Sequence, residues 1–480
     1  MRKLFSRFLS RRRKSTPQQR KVFRPILETL EDRFAPAVVT DDGTTLKLAL
    51  ETNEQLSIIS NDTTYMFSVN GGNTFSDGGI TDTSDFSAFG GGSLTLQASG
   101  LTRYDDIEIT DTGTGNSVRF NNSGANTYSD SFSITLDNAP AVGALTFVGA
   151  TEFSGSNTLS ADVANRIWLF TNSQVTMDTG AITLSANSAG TGVGNYQGIL
   201  LSSSTLRSNS GPITLNGRGG NTGNSNHGVF LNNGRVESLV DAPISITGTS
   251  GNGSSLGVFQ SGANALVTTV AGNIQITGTS NTGVAVQISG SAQVNSTGTG
   301  TDAGTITVNG NHTGNSIGLN LASGQIAAVD GNIQITGETQ GNAAGVQMSG
   351  TAAVSSTGTG AEAATISITG TNTASGGTNA RGIYVLGGTM TSVDGDLLLT
   401  GTTSGVAAID VRSVGQLVST GTTTDAATIT ITGTNAGTGV GVWIQHTGTQ
   451  VTSVVGDILI TGETPGNAAG VQVSGAAVVS

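Results

Sequence analysis

A six-residue phrase, Asn-Ile-Gln-Ile-Thr-Gly, stands at residues 273–278 and returns letter for letter at 332–337, with altered copies at 396–401 and 457–462. Between these copies falls a related phrase, Thr-Ile-x-Val/Ile-x-Gly, at 305–310, 365–370 and 428–433. The closing glycines are Gly217, Gly248, Gly278, Gly310, Gly337, Gly370, Gly401, Gly433 and Gly462, so the repeat is about 30 residues long. Few folds accept a repeat of that length: one unit cannot bury its apolar side alone, and stacking on its neighbours is what closes a core.

Each unit contains three strand-like pieces. In the marker phrase Ile274 and Ile276 point one way and Gln275 the other. A second piece reads Gly-Val-x-Val, as in Gly345–Met348, Gly382–Val385 and Gly441–Ile444, and a third centres on one apolar residue followed by Ser, as in Val354-Ser355. Short strands separated by Gly-rich corners predict an all-β fold, a parallel β-helix solenoid with three strands per coil. Right-handed winding is expected from the chirality of parallel crossovers. At roughly 4.8 Å per coil, about ten coils make a rod near 50 Å long. The corners alternate. Coils ending at Gly278, Gly337, Gly401 and Gly462 are entered through a tight turn such as Val329-Asp330-Gly331-Asn332, and the others through a longer loop such as 296–305, so the larger unit is a pair of coils with its long loops on one side.

Composition fits this picture. Aromatics are 5% and charged residues 11% of 480, too few for an ordinary globular core, but regularly spaced Val, Ile and Leu argue against disorder. There is no cysteine, which removes disulfides and thiolate metal sites. The net charge of -12 is uneven: residues 1–33 hold 11 of the 20 Lys and Arg, which leaves an acidic body that would repel nucleic acid.

Residues 38–160 show alternation without a clean period, as at Leu46, Leu48 and Leu50 or Ile107 and Ile109. They are read as an N-terminal β cap leading into irregular first coils, since an open solenoid end must be covered, with a separate β-sandwich as the alternative. Regular coils are assigned to 161–480. Thr461 to Ser480 repeats Thr336 to Ser355 except at Pro465, Val473, Ala476 and Val478, so the sequence is expected to stop inside a repeat.

Residues 1–37 form a basic targeting segment. Leu4, Phe5, Phe8 and Leu9 fall at helical spacing among arginines, which suits either an amphipathic helix on an anionic membrane or a solvated tail. No apolar run of signal-peptide length follows and none is long enough to span a bilayer. Leu27-Glu28, Leu30-Glu31, Arg33 and Pro36 resemble the LEPR-XLL type of motif found on exported and surface proteins of planctomycete bacteria, with Asp-Arg-Phe where Pro-Arg-x-Leu-Leu would stand. The coils at 180–480 resemble the β-strand repeats of filamentous-haemagglutinin-like and autotransporter-like adhesins. These resemblances imply export, a sorting or processing signal and an extended surface rod.

Parallel β-helices also carry polysaccharide lyases and hydrolases, which need paired carboxylates. The outward positions of the second strand are read as Phe230, Phe259, Ala285, Asn320, Gln347, Tyr384, Asp410, Trp443 and Gln472. Only Asp410 is acidic, with Arg412 on the same face, and the two are expected to form an exposed ion pair. His227, His312 and His446 fall on separate coils and are expected to be solvated loop residues, not a metal site. The calcium nonapeptide and a phosphate loop are both missing at Gly71-Gly72, Gly90–Gly92 and Gly113–Gly115. Tyr384 and Trp443, two coils apart, are exposed aromatics of a kind that can stack on sugars. No catalytic, cofactor-binding or metal residue is therefore assigned. The expected function is that of a non-enzymatic, exported, adhesin-like spacer, stalk or envelope component, with cell-envelope components or extracellular glycans as partners. The alternative is a carbohydrate-active β-helix enzyme or glycan-binding module.

Overall fold

The computed structural model describes residues 36–480 apart from 71–72, 88–90, 138–142, 375–376 and 424–425. The basic segment and most of its Leu-Glu motif lie outside the described residues. The chain from residue 36 onward is an all-β parallel solenoid of about 12 turns with almost no helix.

The marker phrases are strands of one 16-stranded sheet. Strands Ile274–Ser280, Ile306–His312, Ile333–Thr339, Ile366–Asn372 and Leu397–Thr403 pair in parallel without a slip in register. Ile274, Ile306, Ile333, Ile366 and Leu397 therefore stand in one column, and every one of them is buried. The same column reaches back through Phe132 and Ile107 to Leu46, well before the period is visible in the sequence, and forward to Ile458. After each marker strand the next two strands pair with their counterparts one repeat later. Val229–Asn232 pairs with Val258–Ser261, and Arg235–Ser238 with Leu266–Thr269. The third-strand apolar residue forms its own column, Val294, Ile326, Val354, Met390 and Leu417. Alternation along each strand fixes which side chains enter these columns, so a thin core of Val, Ile and Leu is enough to hold each turn.

Two features set the corners. The closing glycines form a column of their own, Gly278, Gly310, Gly337, Gly370 and Gly401. A Cβ at Gly337 would fall inside the Gly345 carbonyl oxygen, the start of the next strand, so the chain turns here by backbone packing that only glycine permits. Two residues on, a buried polar column, Ser280, His312, Thr339 and Asn372, caps the loop that follows. Asn372 Nδ2 donates to the carbonyl oxygens of Gly341 and Ala343, and its Oδ1 accepts from Ala374 N at 2.8 Å.

The alternation of tight and long corners holds only from Gly278 onward, since the coils ending at Gly217 and Gly248 are also entered through short turns, 209–212 and 239–243, and it has a hydrogen-bond basis. Asn273, Asn332 and Asp396, which open the tight-turn strands, accept at Oδ1 from the backbone N–H of Thr305, Thr365 and Thr428 on the following coil, at 2.8, 2.9 and 2.9 Å. Asp330 and Asp394 reach the other way and accept from Gly300 N and Gly360 N, at the tips of the preceding long loops, at 2.7 and 2.8 Å. The long loops all join a third strand to a marker strand and so lie along one edge of the stack.

At the N-terminal end the pattern changes. Ala37–Asp41 pairs antiparallel with Thr45–Leu50, and Gln55–Ser60 with Tyr65–Val69, before Asp106–Asp111 begins the parallel ladder on Thr45–Leu50. The interior is aromatic at this end. Tyr65, Phe120, Tyr128, Phe132, Phe147 and Phe153 are buried together, with Phe120 and Phe147 stacked at 5.0 Å. At the opposite end core-column residues of the last turn are uncovered, with Val471 40% and Val473 49% exposed.

Candidate functional surface

Outward positions of the second strand form one register column. It runs from Arg119 and Thr146 to Trp168, Leu200, Phe230 and Phe259. It continues through Gln287, Asn320 and Gln347 to Tyr384, Asp410, Trp443 and Gln472. The position expected for Ala285 belongs to Gln287. Ala285 is buried instead, because its carbonyl occupies the corner against Gly278 that a glycine occupies in most other coils.

Asp410 is not part of an exposed ion pair. It points outward, yet none of its surface is accessible. Oδ2 accepts from Arg381 Nε at 2.8 Å and pairs with Arg412 Nη2 at 3.0 Å, and Oδ1 accepts from Gln445 Nε2 at 3.0 Å. Both guanidinium groups lie over the Tyr384 ring, at 4.4 and 4.8 Å from its centroid. The Tyr384 ring is therefore already engaged by two cations and offers little surface for a sugar. Trp443 is half-buried two coils away, with Nε1 donating to Ser474 Oγ at 3.3 Å. Arg381 escaped the sequence reading, which began this strand at Gly382.

A second group of the same kind was also missed. Glu237 is buried on the third strand, and Arg207 and Arg235 both bind it: Arg207 Nε donates to Oε2 at 2.8 Å and Arg235 Nε to Oε1 at 2.7 Å. Its one visible signal is the placement of Arg207 and Glu237 at equivalent positions of adjacent coils, opposite charges directly across the ladder. In both groups each carboxylate oxygen is held by an arginine or, for Asp410 Oδ1, by the Gln445 amide, so the carboxylate is already occupied by neighbouring side chains.

Two histidines expected in solvent are buried. His312 belongs to the polar capping column, where Nε2 accepts from Ser316 N at 2.7 Å, and burial lowers its pKa. His227 packs 5.2 Å from both Phe230 and Phe259, whose rings stack at 4.7 Å, and its Nδ1 accepts from Leu256 N. Burial pushes its pKa down to about 4, so the imidazole is neutral at pH 7. His446 is exposed. Among the described residues no group of three His, Cys, Asp or Glu is placed to hold a metal ion.

Two acids of the N-terminal end, Glu54 and Asp130, are raised by burial. Burial beside the aromatic interior pushes the Asp130 carboxyl up to about 6, and Ser129 Oγ donates to its Oδ2 at 3.2 Å. The nearby carboxylates of Asp105 and Asp106 raise it further. Among the described residues no helix is long and apolar enough to cross a membrane. Compared with protein-family models, curated proteins and solved structures, the chain matches none.

Proposed function

We propose that this chain is a non-enzymatic, exported β-solenoid that acts as a spacer, stalk or envelope component, on the plan of the adhesin repeats it resembles. The observation that carries the reading is the unbroken apolar column from Leu46 to Ile458, which makes every turn a load-transmitting layer of one rod. We infer three strands per coil and right-handed winding, in keeping with the pairing of each strand to the third that follows. At about 4.8 Å per turn, 12 turns extend roughly 58 Å.

The distribution of charge supports the same reading. Asp410 and Glu237, the two acids buried on the outer faces, are tied up by arginine pairs that rigidify neighbouring turns. The basic segment at residues 1–37 and its Leu-Glu motif would serve as the export address. Cell fractionation with surface labelling tests the proposal: the protein is expected in the envelope or medium, and a predominantly soluble cytoplasmic pool overturns it. A panel of neutral and acidic polysaccharides incubated with the intact chain should show no turnover. Turnover that Asp410→Ala abolished would instead establish a carbohydrate-active enzyme.

A further inference from the structure

From residue 36 onward the chain carries 29 of the 32 acids but only nine of the 20 Lys and Arg. Acids in such excess should neutralise each cation within reach, and six of the nine are in ion pairs: Lys47, Arg103, Arg207, Arg235, Arg381 and Arg412. Arg119, Arg166 and Arg218 have no carboxylate partner among the described residues. All three line depressions of the surface.

The largest of these, about 530 Å³, holds both Arg119 and Arg166. It lies on the outer sheet face where the N-terminal cap meets the first parallel turns. Around the two arginines its walls combine amides and hydroxyls, among them Gln55, Asn70, Asn121 and Thr146, with the apolar Leu56, Val69 and Ala144. Arg119 and Arg166 sit two strands apart with a two-residue offset, which separates their backbones by about 12 Å. Each guanidinium is steadied on an aromatic neighbour. Arg166 lies 5.4 Å from the Trp168 ring and Arg119 5.9 Å from Phe170, and those two rings stack on each other at 4.1 Å. The groove is also the start of the outward column that continues through Trp168, Leu200 and Phe230 along the stack.

We propose that this groove binds an acidic polysaccharide, with Arg119 and Arg166 each holding an anionic group on separate sugars of one strand. Two fixed cations on an acidic surface select a ligand with spaced anions. The amides and hydroxyls of the walls suit a polyhydroxylated chain, and an open trough continuing into a column accepts a long, thin polymer. The proposal goes beyond the spacer reading, which an inert rod would satisfy equally. Fractionation tests that reading and binding tests this one.

The experiment is affinity electrophoresis and calorimetry of the full chain with polygalacturonate, dextran sulfate and unsubstituted dextran, at low and at raised salt. Binding of polygalacturonate or dextran sulfate is expected, with the preferred one naming the anion as carboxylate or sulfate. Binding should weaken as salt rises, and dextran should not bind. Arg119→Gln with Arg166→Gln should weaken binding about tenfold or more, whereas Arg218→Gln should leave it unchanged. Both replaced side chains are exposed, so circular dichroism should show an unaltered fold. Equal binding by the double variant, equal binding of dextran, or no binding of either acidic polymer overturns the proposal.

Discussion

Replacing Asp410 with alanine removes the one carboxylate that neutralises both Arg381 and Arg412. Their side chains are only 8% and 21% exposed, so water cannot take over its role in full. At an effective dielectric of 20 each attraction is worth about 4 kcal/mol. Desolvation of the three ions offsets much of that in the intact protein, but deleting one partner forfeits the attraction and keeps the burial. The expected loss is therefore about 3–5 kcal/mol. In a solenoid that loss is felt mainly by the turn concerned and its neighbours. Hydrogen exchange should report it locally: amides in Arg381–Leu386, Ala407–Arg412 and Val440–Gln445 should exchange roughly a hundred to several thousand times faster, while those in Ile213–Arg218 keep their protection. Asp396→Ala serves as the control. It removes an exposed carboxylate that accepts one backbone N–H from Thr428, and should cost only about 1 kcal/mol. Converting the whole group with Asp410→Leu, Arg381→Met and Arg412→Met should cost far less than Asp410→Ala, since no charge is then stranded. Exchange at 381–445 within threefold of the unaltered protein in the single variant would refute the reasoning.

Gly337→Ala should destabilise its turn by more than about 3 kcal/mol, because the added methyl meets the Gly345 carbonyl and no side chain can yield, and a urea melt that matches the parent would contradict this. Asn372→Ala strands two buried carbonyls and one N–H and should cost about 2 kcal/mol, measured in the same way, with Asn372→Ser recovering part of it. Asp130, at about 6 in the folded chain against 3.8 ordinarily, makes the folded state bind more protons than the unfolded between those values. Its contribution therefore declines as pH rises from about 4 to 6, and Asp130→Asn should remove that slope and gain about 2 kcal/mol at pH 7, read by melts across pH 4–7. His227, lowered to about 4 from 6.5, has the opposite sign: its contribution is complete above pH 6.5 and is lost as pH falls toward 4, so exchange near Val229–Asn232 should accelerate in acid, and His227→Phe should abolish that acceleration.

How far such features could be read from the chain depends on whether their cause is local. The column of Ile274, Ile333 and Leu397 was legible because two-residue alternation fixes which side chains face inward, and repetition fixes which of them stack. His312 carried the same signal: Ile306, Val308, Gly310 and His312 continue one alternation into the interior, so the burial of this histidine follows from parity. Gln287 was misplaced because the coil reads Val284-Ala285-Val286-Gln287-Ile288, and a shift of two residues leaves the alternation intact. What removes that ambiguity is that Ala285 stands where Gly318, Gly345 and Gly382 stand in later coils and packs its carbonyl against Gly278 as they do against their own closing glycines. Asp410 had its outward direction right and its burial wrong. The groups that cover it stand 29 residues before and 35 after, on neighbouring turns.

The same distinction explains why the visible unit is a pair of coils. A tight-turn coil supplies acceptors, Asn332 at its entry and Asp330 at its corner, while the long-loop coils on either side supply the donors, Thr365 N after it and Gly300 N before it. Between residues 209 and 278 three coils in succession are entered through short turns, and there Pro212 and Pro243 stand where Asn273 and Asn332 stand in the coils that a long loop follows. The side-chain acceptor is thus present where the next coil brings a long loop to it, as Asn273 meets Thr305 N and Asn332 meets Thr365 N. Shared apolar columns make the coils alike in the core, and the hydrogen bonds at the edge tie a short-turn coil to the long-loop coils beside it from Gly278 onward.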